Sequence, residues 1–83
     1  MKFVFKGIAV KQLRKLDKSI RLRILKKLHF YSNQKDPLDF AEPLKGVPHG
    51  GWRFRMGDHR VIFDVDDDTV IILKIGHRKD IYR

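Results

Sequence analysis

Residues 44–65 read LKGVPHGGWRFRMGDHRVIFDV. A Gly/Pro-rich approach leads into two short strands, Trp52–Met56 and His59–Val65. Only Gly57 and Asp58 separate them, a Gly-X pair of the kind that closes a tight hairpin. That turn sets the register: Met56 opposite His59, Arg55 opposite Arg60, Phe54 opposite Val61, Arg53 opposite Ile62 and Trp52 opposite Phe63. Side chains alternate along a strand, so the pairing sorts the residues onto two faces. Trp52, Phe54, Met56, Val61, Phe63 and Val65 make a core face. Arg53, Arg55 and Arg60 cluster on the other. Like charges directly across a sheet are destabilising, so a fold gains nothing by gathering them. Guanidinium groups suit multi-donor recognition of phosphate, and a phosphate ligand is the expectation here.

Outward from the hairpin, the other elements follow from pattern. Lys2–Lys6 alternates charged and apolar residues and reads as a strand ended by Gly7. Residues 8–16 place Ile8 or Ala9, Leu13 and Leu16 on one helical face. Asp17 or Ser19 offers an N-cap for a second helix over 20–32, with Ile20, Ile24, Leu28 and Tyr31 as its seam. Residues 33–51, with Pro37, Pro43 and Pro48, read as a loop. The run Asp66-Asp67-Asp68-Thr69 lacks the Gly and terminal Glu of a calcium loop and reads as a turn. Val70–Ile75, apolar at nearly every position, reads as a central strand covered on both faces. The expected fold is α+β: an N-terminal strand, an antiparallel two-helix hairpin, then an antiparallel meander completing one sheet, as one domain over 1–83.

Charge is uneven. The 83 residues carry a formal +9. Residues 1–35 hold 11 Lys and Arg against one acid, Asp17, and residues 36–83 hold 8 against 9. A basic surface of this kind points to a polyanion. With few aromatics among them, the helical cations, Lys26 and Lys27 included, suit sequence-blind contact with phosphates. A chain of this length supports one core, burying somewhat over ~60% of its unfolded surface. No cysteine is present, which excludes disulfides and thiolate metal sites. No signal peptide or membrane span is legible, and the expected location is the cytoplasm.

Leu44-Lys45-Gly46, Trp52-Arg53-Phe54-Arg55, Gly57-Asp58-His59-Arg60-Val61-Ile62-Phe63, Ile75-Gly76-His77-Arg78 and Tyr82 together resemble the RelE toxins of the RelE/ParE superfamily, over nearly the whole chain. The resemblance implies the toxin of a type II toxin–antitoxin pair, a ribosome-dependent endoribonuclease that cuts mRNA in the A site. It implies as partners an antitoxin that wraps the toxin, the ribosome and mRNA, and no cofactor or metal. Arg53 and Arg55 match two basic positions of the family, Arg60 a phosphate-binding Arg, and Arg78 and Tyr82 the catalytic Arg and Tyr.

RNA supplies its own nucleophile, the 2′-OH, so the protein must supply a base, an acid and cations. No Glu is obvious on the Arg face; Tyr82 can serve as the base if adjacent cations bring its pKa down from ~10 toward neutrality. Arg55 and Arg60 grip the phosphate, and Arg78 serves the leaving oxygen. His77 is the better acid on chemical grounds, but strand alternation sets it opposite Arg78, so it ranks second. Lys45 and Arg53 are further RNA contacts. His49 and His59 read as ordinary loop and turn residues. Two readings compete: a ParE-like toxin that inhibits gyrase without cutting RNA, and a non-catalytic RNA-binding module.

Overall fold

The computed structural model describes residues 1–46 and 51–82. His49 and part of the Gly/Pro approach lie outside the described residues. The chain runs β1 (Lys2–Phe5), α1 (Gly7–Arg14), α2 (Lys18–Ser32), a 3₁₀ turn (Pro37–Phe40), β2 (Glu42–Pro43), β3 (Trp52–Met56), β4 (His59–Asp66) and β5 (Thr69–His77). The five strands form one mixed sheet in the order β1-β5-β4-β3-β2. β1 lies parallel to β5, and every other pairing is antiparallel. The expected α+β architecture and the hairpin register, from Trp52↔Phe63 to Met56↔His59, are both present. Gly57 takes φ 63° in that turn, a left-handed conformation that glycine adopts without strain.

One face of the sheet is packed under the helices. Leu13 of α1 and Ile24, Leu28 and Tyr31 of α2 share a buried cluster with Phe54, Val61, Phe63, Val70 and Ile72. Phe54 is its centre: its ring stacks on Tyr31 at 4.6 Å, Phe63 at 4.4 Å and Phe3 at 6.2 Å between centroids. The corner between the helices is closed by Arg21, which donates to the Arg14 and Leu16 carbonyls. Asp17 occupies the N-cap position of α2, but its side chain makes no capping hydrogen bond.

Two readings of the sequence are corrected, and one left open is resolved. Residues 33–51 are not all loop: Asp36 accepts from the Leu38 N–H to start the 3₁₀ turn, and Glu42–Pro43 add an edge strand, where proline removes no needed ladder donor. Of the two residues offered for the inner face of α1, Ala9 is the one buried, with Leu13, and Ile8 is exposed. β5 is not covered on both faces in the same way. A bulge at Ile62/Phe63 leaves Leu73 without a β4 partner. With Ile62, Ile81 and Ile8 of α1, Leu73 lines an apolar hollow of about 450 Å³. Beyond the end of β1, Gln12 Oε1 accepts from the Ile75 N–H, so a side chain completes that stretch of β5.

Candidate RNA-cleaving face

Arg53 and Arg55 stand two residues apart on β3, so both project from the face that the helices leave open. Glu42 of β2 lies beside Arg53 in the ladder. Its carboxylate bridges the two guanidiniums, at 3.1 Å from Arg53 and 3.4 Å from Arg55. The hydrogen bond from Arg53 holds the Glu42 pKa below the usual carboxylate value, with the charges of Arg53 and Arg55 acting the same way. The expectation that this face carries no Glu is therefore overturned. The acid was missed because its neighbours come from register: Glu42 is 11 residues from Arg53 in the chain, and a two-residue strand leaves no periodic signal.

Tyr82 joins the group from the C-terminal turn. Arg53 Nη1 donates to the Tyr82 hydroxyl oxygen at 2.8 Å, and the guanidinium lies 6.0 Å from the ring centroid. Arg53 thus faces a phenol and a carboxylate at once, and both raise its pKa, the phenol contact most. Its Nε is buried without an acceptor, a donor left unpaired within the site. The turn reaches the sheet because Ile81 packs onto it. A Cβ built at Gly76 would lie 3.3 Å from Ile81 Cδ1, so the absent side chain at 76 gives Ile81 its seat.

Arg60 and Arg78 are each held at the Gly57-Asp58 turn. Arg60 is 94% buried, and its Nη1 donates to the Gly57 and His59 carbonyls at 2.7 and 2.9 Å. Backbone acceptors make burial of that charge tolerable. Arg78 Nε lies 3.6 Å from Asp58 Oδ1, and the Arg78 N–H donates to the Asp58 carbonyl at 2.7 Å. Both arginines are tied to the same two-residue turn. Arg55 is the ladder partner of Arg60 and links this end to the Arg53–Tyr82 end.

Of the other sequence-named residues, Lys45 lies near Arg53 and Tyr82 and the rest lie apart. His77 pairs with His59, the two rings 5.4 Å apart, and its Nδ1 accepts from the Lys79 N–H. Alternation puts both histidines on the helix side, while Arg60 and its partner Gly76 are on the open face. Burial, chiefly, and the neighbouring His77 push the His59 pKa down. Lys45, with Pro43, Leu44, Arg53 and Tyr82, lines a shallow hollow beside the phenol. Lys26 and Lys27 belong to the helical side and share a groove with Phe30 and Phe40.

The chain has clear relatives. Residues 3–82 match the family model described as the ParE toxin of the type II toxin–antitoxin system parDE. It is 35% identical over 81 residues to Toxin RelG of Mycobacterium tuberculosis, covering 95% of this chain and 92% of that one. It is 32% identical over 84 residues to Toxin RelE3 of Methanocaldococcus jannaschii, covering 99% and 96%. Among solved structures, it superposes on a chain of the RelBE2 toxin–antitoxin complex of M. tuberculosis with a TM-score of 0.75, at 29% identity, covering 93% of this chain and 96% of that one. With strand order, helix placement and sequence all in agreement, the chain belongs to the RelE/ParE family of type II toxin–antitoxin toxins.

Proposed function

We propose that this toxin is an endoribonuclease that cuts mRNA in the ribosomal A site through attack of the 2′-OH. The observation that carries the reading is the Arg53–Tyr82 contact at 2.8 Å beside Glu42 and Arg55: a phenol, a carboxylate and two guanidiniums on one open face. In the reaction the 2′-oxygen bonds to phosphorus and the P–O5′ bond breaks. Glu42, kept ionised by its arginines, is an acceptor for the 2′-OH proton, a role the sequence reading gave to Tyr82. Tyr82 takes a hydrogen bond from Arg53 on its oxygen, which leaves its own hydrogen free to go to the departing 5′-oxygen. Arg55 and Arg60 hold the charge that builds on the phosphate, and Arg78 serves the leaving side. His77 stays second as a proton donor, because it sits with His59 across the sheet.

The protein acts in the cytoplasm under this reading, on ribosomes, and an antitoxin holds it silent. That partner is supported by the neighbour of known structure, which was solved as a toxin–antitoxin complex. Programmed ribosomes stalled on a defined codon test the activity. The expected product is mRNA cut within the A-site codon, with a 2′,3′-cyclic or 3′-phosphate end. A second reading, gyrase inhibition without RNA cleavage, is favoured by the ParE description of the matching family model. Intact message together with blocked supercoiling by gyrase would decide for it.

A further inference from the structure

We propose a second RNA site on the helical side of the molecule, which takes an unpaired nucleotide. It is built on Phe30, Tyr31 and Phe40, with Arg23, Lys26 and Lys27 beside them. This groove of about 460 Å³ is lined by those six residues, three aromatic and three cationic. Phe30 and Phe40 are 51% and 43% exposed, large rings left in water on a folded surface. They meet edge to face at 5.8 Å, and Phe40 stacks on Tyr31 at 5.1 Å, so their orientations are fixed from beneath. The sequence placed few aromatics among the helical cations. The fold changes that, because the 3₁₀ turn swings Phe40 against α2.

Composition selects the occupant. Among the described residues, no aliphatic side chain lines the groove, whereas a groove for a partner's amphipathic helix is built to receive apolar knobs. Flat rings flanked by cations instead match a splayed base with its phosphates: the base stacks on Phe30 or Phe40, and its phosphates meet the cations. Arg23, Lys26 and Lys27 fall at i, i+3 and i+4 on α2, one side of the helix. The groove also leads toward the other face. A Cβ at Gly57 would lie 3.8 Å from Arg23 Nη1, and Gly57-Asp58 is the turn that holds Arg60 and Arg78. An RNA chain seated in the groove therefore has cations along its way to the Arg face. The site does not depend on cleavage.

The test is binding of a fluorescent, unpaired 2′-O-methyl oligoribonucleotide, which cannot be cut, by the full chain. A strand of equal length with abasic positions serves as control. The expected result is tighter binding of the strand with bases. Phe30→Ala and Phe40→Ala should each weaken it about tenfold while hardly affecting the abasic strand. Phe30→Trp should keep or improve affinity, which covers the case where the alanine variants fold poorly. Lys26→Gln should lower affinity for both strands and reduce the salt slope by about one. Equal affinity for both strands overturns the proposal, as does indifference to both alanine substitutions or a loss of affinity in a folded Phe30→Trp variant. It is also overturned if an acidic amphipathic peptide binds, loses affinity on Phe30→Ala and Phe40→Ala, and RNA affinity stays unchanged; the groove is then a protein site. None of these outcomes bears on Arg53, Arg55 or Tyr82.

Discussion

Arg53 uses its donors in different ways: one on the Tyr82 oxygen, one on Glu42, and an Nε without an acceptor. It organises the other two groups, so substitutions at the three positions should differ. Tyr82 is 48% exposed, so Tyr82→Phe should leave the melting temperature nearly unchanged. Loss of its hydroxyl should slow cleavage of ribosome-bound message by about 100-fold, within the range for general acid–base groups. Arg78→Ala should lose about 100–1000-fold, as for removal of a charge-stabilising donor. Both rates are read from single-turnover cleavage on programmed ribosomes. His59 gives a pH signature of folding. Its folded pKa lies below the unfolded value of about 6.5, so the unfolded chain binds more protons in that region. Stability should therefore fall as pH drops below the unfolded value, and level off only under the folded one. His59→Gln should flatten that slope in urea titrations run from pH 7.5 to 5.

Among elements, the β3–β4 hairpin was the most legible. Gly57-Asp58 fixed its register, and alternation then put Phe54 in the core and Arg53 and Arg55 outside. The seam of α2 was legible for the same reason, since Ile24, Leu28 and Tyr31 repeat at helical spacing and all are buried. What escaped depends on contacts distant in sequence. β2 is two residues long, and only its pairing with β3 makes Glu42 part of the site. The bulge that turns Leu73 outward has no signature in an unbroken apolar run. Nor does the C-terminal turn, which depends on Ile81 finding the gap at Gly76. Gly76→Val should push Ile81 off the sheet and draw Tyr82 away from Arg53. We expect cleavage to fall at least tenfold, with the sheet preserved by far-UV circular dichroism. Unchanged activity would show that the turn does not set the phenol.

At the scale of the molecule, one sheet separates two surfaces. Its helix-covered face holds a core centred on Phe54, and its open face carries Arg53, Arg55 and Glu42. Phe54→Ala should cost about 3–5 kcal/mol, read from the urea midpoint, because the ring fills a site walled by Phe3, Tyr31 and Phe63. The account rests on the claim that Arg53, Arg55, Arg60, Arg78, Glu42 and Tyr82 act on a single RNA linkage. Its most direct test is to map message ends on ribosomes stalled at one codon, using the native toxin and the Arg55→Ala, Glu42→Gln and Tyr82→Phe variants. The account predicts one cut inside the A-site codon, bearing a cyclic or 3′-phosphate, and at least tenfold slower cutting in each variant. Uncut message with the native protein, or native rates in all three variants, would contradict it.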